Sequence, residues 1–464
     1  MITYQDLLAA GEDEKERITF VKKVITQHKQ SPEFKYAKDA QLYYNGENPT
    51  INRYEKLIYD TAGRAHIDMW TANHKIASQF FPFVIDQEVS YLLGNGVRFG
   101  KDETKKKLGV NFDEQTQDAL AAARVAGVSY GFWNLDHLEV FNFLEFAALK
   151  DEEDGWIKAG VRHWQIDESK PLRATLFELD GYTEYIQRKG EDMTILKPKQ
   201  RYIKVVTRNA AEGEQISDGE NYNGFPIVPL YANKQHQSAL VGKRNTIDAL
   251  DLANSNMVNN VDEGNLIYWV LTNCGGMSDL DDVEFVNRLK TIHVAHADGD
   301  AGAGAEAHSI EAPFEGTKTT IDMLINRLYD DFQAFNSAAV TASNQSATAI
   351  KASYVPLDLK ADSIERQITR FINGILKIAG IDDKPTYTRN QIINKTEETQ
   401  RIIMQAEYFD EEYIRKSLLT VNGDLDQYEE IVKRIDDSEE DRFSGRDSET
   451  EQEIRSAGNP DDRE

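Results

Sequence analysis

The densest group of side chains that could perform chemistry is acidic. Asp279, Asp281, Asp282 and Glu284 lie within six consecutive positions. Carboxylates at such spacing can hold a divalent metal ion, and a bound metal ion can activate water for hydrolysis. A hydrolase that uses a metal ion on Asp279, Asp281 or Asp282 is therefore one function that the sequence leaves open, with nucleic acid or glycan as its substrate.

A second group that resembles a metal site consists of two histidines and two aspartates: His293, His296, Asp298 and Asp300. The surrounding residues predict a strand over 291–295, and side chains three positions apart on a strand point to opposite faces. Gly302 and Gly304 stand where a calcium-binding loop needs oxygen ligands. We therefore predict that no metal ion binds here.

Sequence motifs for nucleotide binding and for a serine nucleophile are missing. No G-x-x-x-x-G-K-[ST] run is present to hold phosphates on backbone amides, and no G-x-S-x-G elbow surrounds any serine. The residues therefore predict no enzyme and no cofactor.

An uncharged stretch, FQAFNSAAVTASNQSATAI at 332–350, stands out in a chain rich in charge. It separates two amphipathic helices, predicted over 317–336 and from about Leu357 to Gly380 by apolar residues three and four positions apart. Its small polar side chains are Ser337, Thr341, Ser343, Asn344, Gln345, Ser346 and Thr348. An ordinary linker between helices is one interpretation of such a stretch.

The remaining pattern predicts an α+β fold, with helices first, then a sheet, then helices again. Alternation with period two predicts a meander of antiparallel strands over 129–233, with Pro226 and Pro229 at an edge or exit. A small insert at 264–313 is predicted to contain strands over 266–271 and 291–295 and a loop over 297–309. The predicted helices lie at 1–60, 73–99, 116–127, 240–263, 392–404 and 408–419.

The helix at 240–263 and the helix at 317–336 flank this insert in the sequence. They are predicted to run antiparallel and to carry the insert at their far end. A stalk with a tip suggests projection from the rest of the protein rather than an enzyme cleft.

Composition limits the classes of function further. The 464 residues carry a net charge of −26, which argues against tight binding of nucleic acid through phosphate neutralisation. An acidic wall can still surround a DNA duplex without binding it tightly.

The single cysteine, Cys274, suits a reducing compartment. No apolar run approaches the roughly 18 residues of a membrane span, so we expect folding in the cytoplasm and no membrane partner.

Three stretches resemble the portal (connector) proteins of long-tailed double-stranded DNA bacteriophages, in the branch typical of phages of Gram-positive hosts. The order and spacing of the stretches carry the resemblance, which extends to 408–435 and so covers most of the chain. The three are NHKIASQFFPFVIDQEVSYLLGNGVRF at 73–99, NKQHQSALVGKRNTIDALDLANSNMVNNVDE at 233–263, and NQSATAIKASYVPLDLKADSIERQI at 344–368.

The resemblance implies a subunit with a helical and antiparallel-sheet wing, a helical stem, a small α/β clip and a helical crown. Its parts are expected at 1–239 (first part of the wing), 240–263 and 314–336 (stem), 264–313 (clip), 337–350 (tunnel loop), 351–380 (long wing helix), 381–435 (crown) and 436–464 (acidic disordered tail).

The resemblance also implies a homo-oligomeric ring, commonly a dodecamer, at one capsid vertex of the virion, assembled in the host cytoplasm. Viral DNA would pass through the ring during packaging and ejection. The expected partners are the terminase ATPase, a head–tail adaptor, and the major capsid and scaffolding proteins. The clip residues Asp279, Asp281, Asp282 and Glu284 would dock partners, and the tunnel loop residues Ser343, Asn344, Gln345, Ser346, Thr348 and Lys351 would contact DNA.

Two rival functions stay open beside the portal. A head–tail adaptor or minor capsid protein would be shorter and would lack the stalk and loop. The metal-dependent hydrolase on Asp279, Asp281 or Asp282 would lose its activity on chelation.

Overall fold

The chain divides into two compact units in the computed structural model. The first unit comprises residues 1–337 and 354–390, and the second comprises residues 338–353 and 391–464. The structure describes residues 2–60, 62–69, 71–203, 206–209, 213–216, 219–264, 267–272, 304–309, 314–338, 347–390, 395–422, 428 and 430–435.

Helices make up both ends of the described chain and most of its largest core. Numbered along the chain, they are α1 (Tyr4–Ala10), α2 (Glu14–Gln30), α3 (Pro32–Tyr44), α4 (Pro49–Asn52), α5 (Phe80–Leu93), α6 (Asp102–Leu108), α7 (Phe112–Ala126), α8 (Arg244–Gly264), α9 (Phe314–Phe332), α10 (Ala347–Ser353), α11 (Val355–Ile378), α12 (Lys395–Gln405) and α13 (Glu411–Asn422).

The strands are concentrated between α7 and α8. They are β1 (Leu57–Tyr59), β2 (Ala65–Ile67), β3 (Val97–Phe99), β4 (Val128–Asn134), β5 (His137–Asn142), β6 (Phe146–Lys150), β7 (Ile157–Trp164), β8 (Leu172–Glu178), β9 (Gly181–Gln187), β10 (Thr194–Gln200), β11 (Val206–Asn209), β12 (Gly213–Ile216), β13 (Ile227–Tyr231), β14 (Ile267–Thr272), β15 (Gly304–Ser309) and β16 (Pro385–Tyr387).

The predicted meander divides into two main antiparallel sheets. Strands β6 to β10 form a five-stranded sheet in the order β10-β9-β8-β7-β6, and β13-β4-β5 form a three-stranded sheet. Pro229 lies on the edge strand β13 and pairs with Tyr130 of β4. An edge strand tolerates a residue that has no backbone N–H donor. The α+β fold class and the edge position of Pro229 are confirmed.

The largest core forms where α5, α7, α8, α9 and α11 bury their apolar faces together with β4 and β5. Gly131 on β4 makes close approach possible, because an added Cβ would lie 2.5 Å from the ring of Phe371. The predicted stripe of α11 is buried as expected, at Ile364, Ile368, Phe371, Ile372, Ile375 and Leu376. Leu357 and Ala361 are buried as well.

The spacing of apolar residues predicts a buried face around α5 at seven positions: Ile76, Phe80, Phe83, Val84, Val89, Leu92 and Leu93. Four of them are buried, Phe80 is partly buried against the core, and two are exposed. Phe83 is 42 % exposed because it lies at the rim of the core, with its ring edge-on to Tyr329. Ile76 precedes the helix and is also exposed. The four confirmed residues are Val84, Val89, Leu92 and Leu93.

Helices α8 and α9 run antiparallel, as predicted. At one end, the C-terminus of α8 and the N-terminus of α9 are joined by the ladder of β14 and β15, in which Ile267 pairs with Ser309. At the other end, Nζ of Lys243, just before α8, lies 5.3 Å from the ring centre of Phe332, the last residue of α9. The two helices therefore form a hairpin with strands at its tip.

One prediction for this tip is wrong. The sequence predicted a loop over 297–309, whereas Gly304–Ser309 form strand β15. Glycine and alanine have low strand propensity, but the pairing with the apolar strand β14 supplies a complete hydrogen-bonded ladder. Pairing with a partner outweighs local propensity here.

A second core lies between the five-stranded sheet and helices α1 and α2. Glu178 at the end of β8 receives two hydrogen bonds from Arg17 on α2, at 2.8 and 3.1 Å. Burial disfavours the charge of Arg17, but Glu178 outweighs that cost and raises the pKa of Arg17. This bidentate pair ties α2 to the sheet.

A pair of histidines in this region, buried His163 and half-buried His28, predicts acid sensitivity. His28 Nδ1 lies 3.1 Å from His163 Nε2. Burial lowers the pKa of His28 to about 4 and, together with His28, that of His163 to about 3. Below about pH 6.5 the unfolded chain binds these protons and the folded chain does not. The free energy of unfolding should therefore fall by about 1.4 kcal/mol per pH unit for each histidine as the pH drops from about 6.5 towards 4.

Urea unfolding at about pH 7 and at about pH 5 measures this effect. The double variant His28→Asn with His163→Asn should lose much of the pH dependence of wild type. His66→Asn is the control, because His66 is exposed on β2. An unchanged pH dependence in the double variant would show that the pair is not protonated on unfolding.

The second unit contains α10, α12 and α13. Helices α12 and α13 contact each other. Lys416 on α13 pairs with Glu412 at 2.6 Å, one helical turn away. Of the helices that the structure describes in either unit, none combines the length and apolar character that a membrane crossing requires.

Candidate functional site

The residues predicted to contact DNA fall mostly outside the described part of the chain. Ser343, Asn344, Gln345 and Ser346 lie there, as do the clip carboxylates Asp279, Asp281, Asp282 and Glu284 and the histidines His293 and His296. Thr348 and Lys351 lie on α10, and Lys351 is exposed in its last turn. Helix α10 begins at Ala347, so the end of the predicted loop is helical.

The segment 338–353 belongs to the second unit, and the residues of the first unit on either side of it contact each other. Phe335 stacks on Tyr354, with ring centres 4.0 Å apart and ring planes at 8° to each other. Phe335 lies two residues before the segment 338–353, and Tyr354 directly follows it. Tyr91 of α5 also stacks on Tyr354, with ring centres 5.8 Å apart. We call Gln87, Tyr91, Phe332, Phe335 and Tyr354 the loop base. It holds the two ends of the segment side by side.

The side chain of Gln87 fixes the backbone of Phe335 within the loop base. Its Nε2 donates to the carbonyl oxygen of Phe335 at 2.9 Å, and its Oε1 accepts from the Phe335 amide at 2.9 Å. Gln333 has φ +51°, in the left-handed region, and so ends α9. The turn thus depends on a side chain from a distant helix rather than on its own sequence.

We expect Gln87→Ala to free the backbone of Phe335, because an amide and a carbonyl each lose their partner. The cost should be about 1–3 kcal/mol in the free energy of unfolding. Hydrogen exchange at the Phe335 amide should accelerate well beyond the global change.

Gln87→Glu is the matched control for this prediction. A glutamate can still accept from the Phe335 amide but cannot donate to its carbonyl, so an intermediate exchange rate is expected. Equal protection of Phe335 in wild type and Gln87→Ala would contradict the assigned role of Gln87.

A buried charge cluster contacts the loop base at Phe332. Glu88 is 2 % exposed and accepts a hydrogen bond from Arg124 Nε at 2.6 Å. Its other oxygen contacts Nζ of Lys360, which also donates to the carbonyl oxygen of Phe332. Arg124 Nη1 donates to the Ala232 carbonyl at 3.0 Å. The cluster therefore links α5, α7 and α11 to the end of α9.

The charge states within the cluster follow from burial and pairing. Burial disfavours a charged Glu88, but Arg124 and Lys360 outweigh this and hold the pKa of Glu88 below its usual value. Burial also lowers the pKa of Lys360, to about 8, against the attraction of Glu88. Glu88 and Lys360 are therefore both charged at neutral pH.

A second ionic group fixes the start of α11. Asp358 accepts from Tyr91 Oη at 2.5 Å and from Arg389 Nη1 at 2.6 Å. Arg389 also pairs with Asp362. Burial opposes the charge on Arg389, but the two aspartates outweigh it and raise the pKa of Arg389. Tyr91 is thus held both by stacking and by a hydrogen bond.

The sequence interpretation missed these residues, although one signal was present. Glu88 lies four positions from both Val84 and Leu92, on the face of α5 predicted to be buried. An acidic residue at such a position needs a buried cation. Nothing local identifies Arg124 or Lys360 as the partner. Among the residues the structure describes, no three histidine, cysteine or carboxylate side chains are grouped to hold a metal ion.

Comparison with known proteins gives the family. A family model described as "Phage portal protein, SPP1 Gp6-like" matches residues 22–441. The portal protein of Clostridium phage phiCD119 is 24% identical over 391 residues, which cover 77% of this chain and 83% of that protein. The portal protein of Bacillus phage SPP1 is 24% identical over 424 residues, which cover 83% of this chain and 79% of that protein. Because the family model matches most of its length, the chain belongs to the SPP1 Gp6-like family of phage portal proteins.

Proposed function

We propose that copies of this chain assemble as a dodecamer in the host cytoplasm and occupy one vertex of the capsid. Viral double-stranded DNA passes through the ring during packaging and again during ejection. The observation that carries the proposal is the family match over residues 22–441. Portal proteins of this kind are ring-forming virion components through which DNA passes.

The parts of the subunit follow the resemblance. The antiparallel pairing of α8 and α9, with strands at its tip, supports a stem that carries a clip. The assignments are the wing at 1–239, the stem at 240–263 and 314–336, the clip at 264–313, the tunnel loop at 337–350, the long wing helix at 351–380, the crown at 381–435 and the acidic tail at 436–464.

The tunnel loop contacts DNA through groups that bind weakly. Its small polar side chains make transient hydrogen bonds, and the cation that directly follows its C-terminal end is Lys351. The net charge of −26 supports a channel that repels phosphates rather than trapping them. The loop base supports the same role, because both ends of the segment are held at one place. The proposed contacts are Ser343, Asn344, Gln345, Ser346, Thr348 and Lys351.

The clip is the docking surface for partner proteins. Its carboxylates Asp279, Asp281, Asp282 and Glu284 suit a basic surface on the terminase ATPase and later on the head–tail adaptor. The chain lacks a nucleotide-binding motif of its own, so the motor is a separate protein. Major capsid and scaffolding proteins surround the ring during assembly.

The portal family is structural rather than enzymatic, and this favours a conduit over the hydrolase on Asp279, Asp281 or Asp282. A head–tail adaptor or minor capsid protein is disfavoured by the same family match.

Inactivation of the gene in its phage tests the proposal. A nonsense mutation should reduce DNase-protected genomes in capsids to background, and the chain supplied from a plasmid should restore them. Normal numbers of filled capsids without the protein would overturn the proposal.

A further inference from the structure

A cleft of about 200 Å³ opens beside the loop base. Arg124 from α7, Lys243 just before α8 and Lys360 from α11 lie along it. Ser238, Asp331 and Gln333 complete the part of the lining that concerns binding. Three cations from separate elements therefore converge on one small space.

These cations keep hydrogen-bonding capacity that the protein does not use. Lys360 contacts Glu88 and the Phe332 carbonyl, which occupies two of its three hydrogens. In the part of the chain that the structure describes, Lys243 donates a hydrogen bond only to the Val241 carbonyl, at 3.3 Å, and its Nζ lies 5.3 Å from the ring centre of Phe332. Arg124 uses Nε and Nη1, and within the described residues nothing accepts from its Nη2. Several donors can thus serve a ligand in the cleft.

The charges around the cleft do not balance. Glu88 is shared between Arg124 and Lys360. Asp331 is shared with Arg327, at 3.5 Å, and together with Glu88 it offsets the charge of Lys243 only in part. Burial and the nearby Arg124 accordingly lower the pKa of Lys243. In a chain with a net charge of −26, a half-buried cationic cleft is suited to a small anion.

We propose that this cleft binds a phosphate group, either free inorganic phosphate or a phosphodiester of DNA. A tetrahedral oxyanion has acceptors in several directions, which matches cations that approach from three elements. The hydroxyl of Ser238 and the side-chain amide of Gln333 can add neutral donors. A bound phosphate would link α7, α8 and α11 at the loop base. The inference goes beyond the conduit role and does not depend on it.

Calorimetric titration of the full chain with sodium phosphate tests the proposal near neutral pH, with sodium chloride used to keep the ionic strength constant. Wild type should bind phosphate saturably. Lys243→Met should bind about tenfold more weakly, the loss expected for one charge-assisted contact. Lys377→Met is the matched control, because Lys377 lies exposed on α11 outside the cleft, and it should bind as wild type does.

A second variant tests the cleft independently, in case Lys243→Met fails to fold. Gln333→Glu changes one exposed side chain with little change in size and places a negative charge in the lining, so it should also weaken phosphate binding. Competition by a short DNA duplex would assign the site to the phosphodiester, and phosphate binding unaffected by the duplex would assign it to the free ion.

Three results would overturn the proposal. One is the absence of saturable phosphate binding in wild type. Another is equal affinity in wild type, Lys243→Met and Gln333→Glu. The last is a loss of ring assembly in Lys243→Met without any effect on phosphate, which would assign the cleft to a carboxylate of a second copy.

Discussion

Glu88→Gln is expected to lower the free energy of unfolding of the first unit by about 3–5 kcal/mol, because it leaves two buried cations without their counter-ion. Glu88 is the carboxylate that contacts both Arg124 and Lys360. Typical domains are stable by about 5–15 kcal/mol, so the loss would be a large part of the total. Urea unfolding followed by tryptophan fluorescence is a suitable measurement, because Trp133 lies in the same core.

Two further variants make this prediction specific. Glu184→Gln removes a partner of Lys197 on the sheet surface and should have a much smaller effect, since exposed pairs contribute little. Combining Glu88→Leu with Arg124→Met and Lys360→Met removes all three charges and should recover most of the stability. A Glu88→Gln protein as stable as wild type would show that the cluster does not hold the elements together.

Asn344→Glu with Gln345→Glu is expected to stop DNA packaging while leaving rings intact. Each subunit would then place two negative charges in the channel, and a closed ring repeats them at every subunit. Repulsion between these charges and the phosphates is strong within a Debye length of about 10 Å. DNase-protected genomes per capsid should fall towards background, and the solution mass of the assembly should not change.

Asn344→Ser with Gln345→Ser is the control for charge, because it keeps the residues small and polar. Packaging close to wild type is expected for it. If the glutamate variant packaged DNA normally, the loop would not approach the duplex. If neither variant formed rings, the segment would belong to the interface between subunits.

Much of the fold could be predicted because its signals are local. The spacing of apolar residues in α11 predicts its buried face directly, and the period-two alternation of apolar residues predicts strands β7 to β9. Other parts depend on partners far away in the sequence. Strand β3 pairs with β16, almost three hundred residues later, and each is only three residues long. Neither has enough alternation to be recognised alone.

The same distinction applies to the candidate site. The uncharged composition of 332–350 marks the segment, and the contacts of Asn344 and Gln345 with DNA stay a prediction. The loop base could not be predicted, because Gln87 gives no sign that it binds the backbone of Phe335 from 248 positions away. Lys360 likewise appears as an ordinary cation of an amphipathic helix until its burial against Glu88 is known.

Electron microscopy of the purified protein, with its solution mass measured in parallel, tests the central claim most directly. Closed rings with a central channel wide enough for duplex DNA, and a mass that corresponds to the dodecamer, are the predicted result. A compact monomer that hydrolyses nucleic acid or glycan in a metal-dependent reaction would contradict the claim that this chain is a conduit.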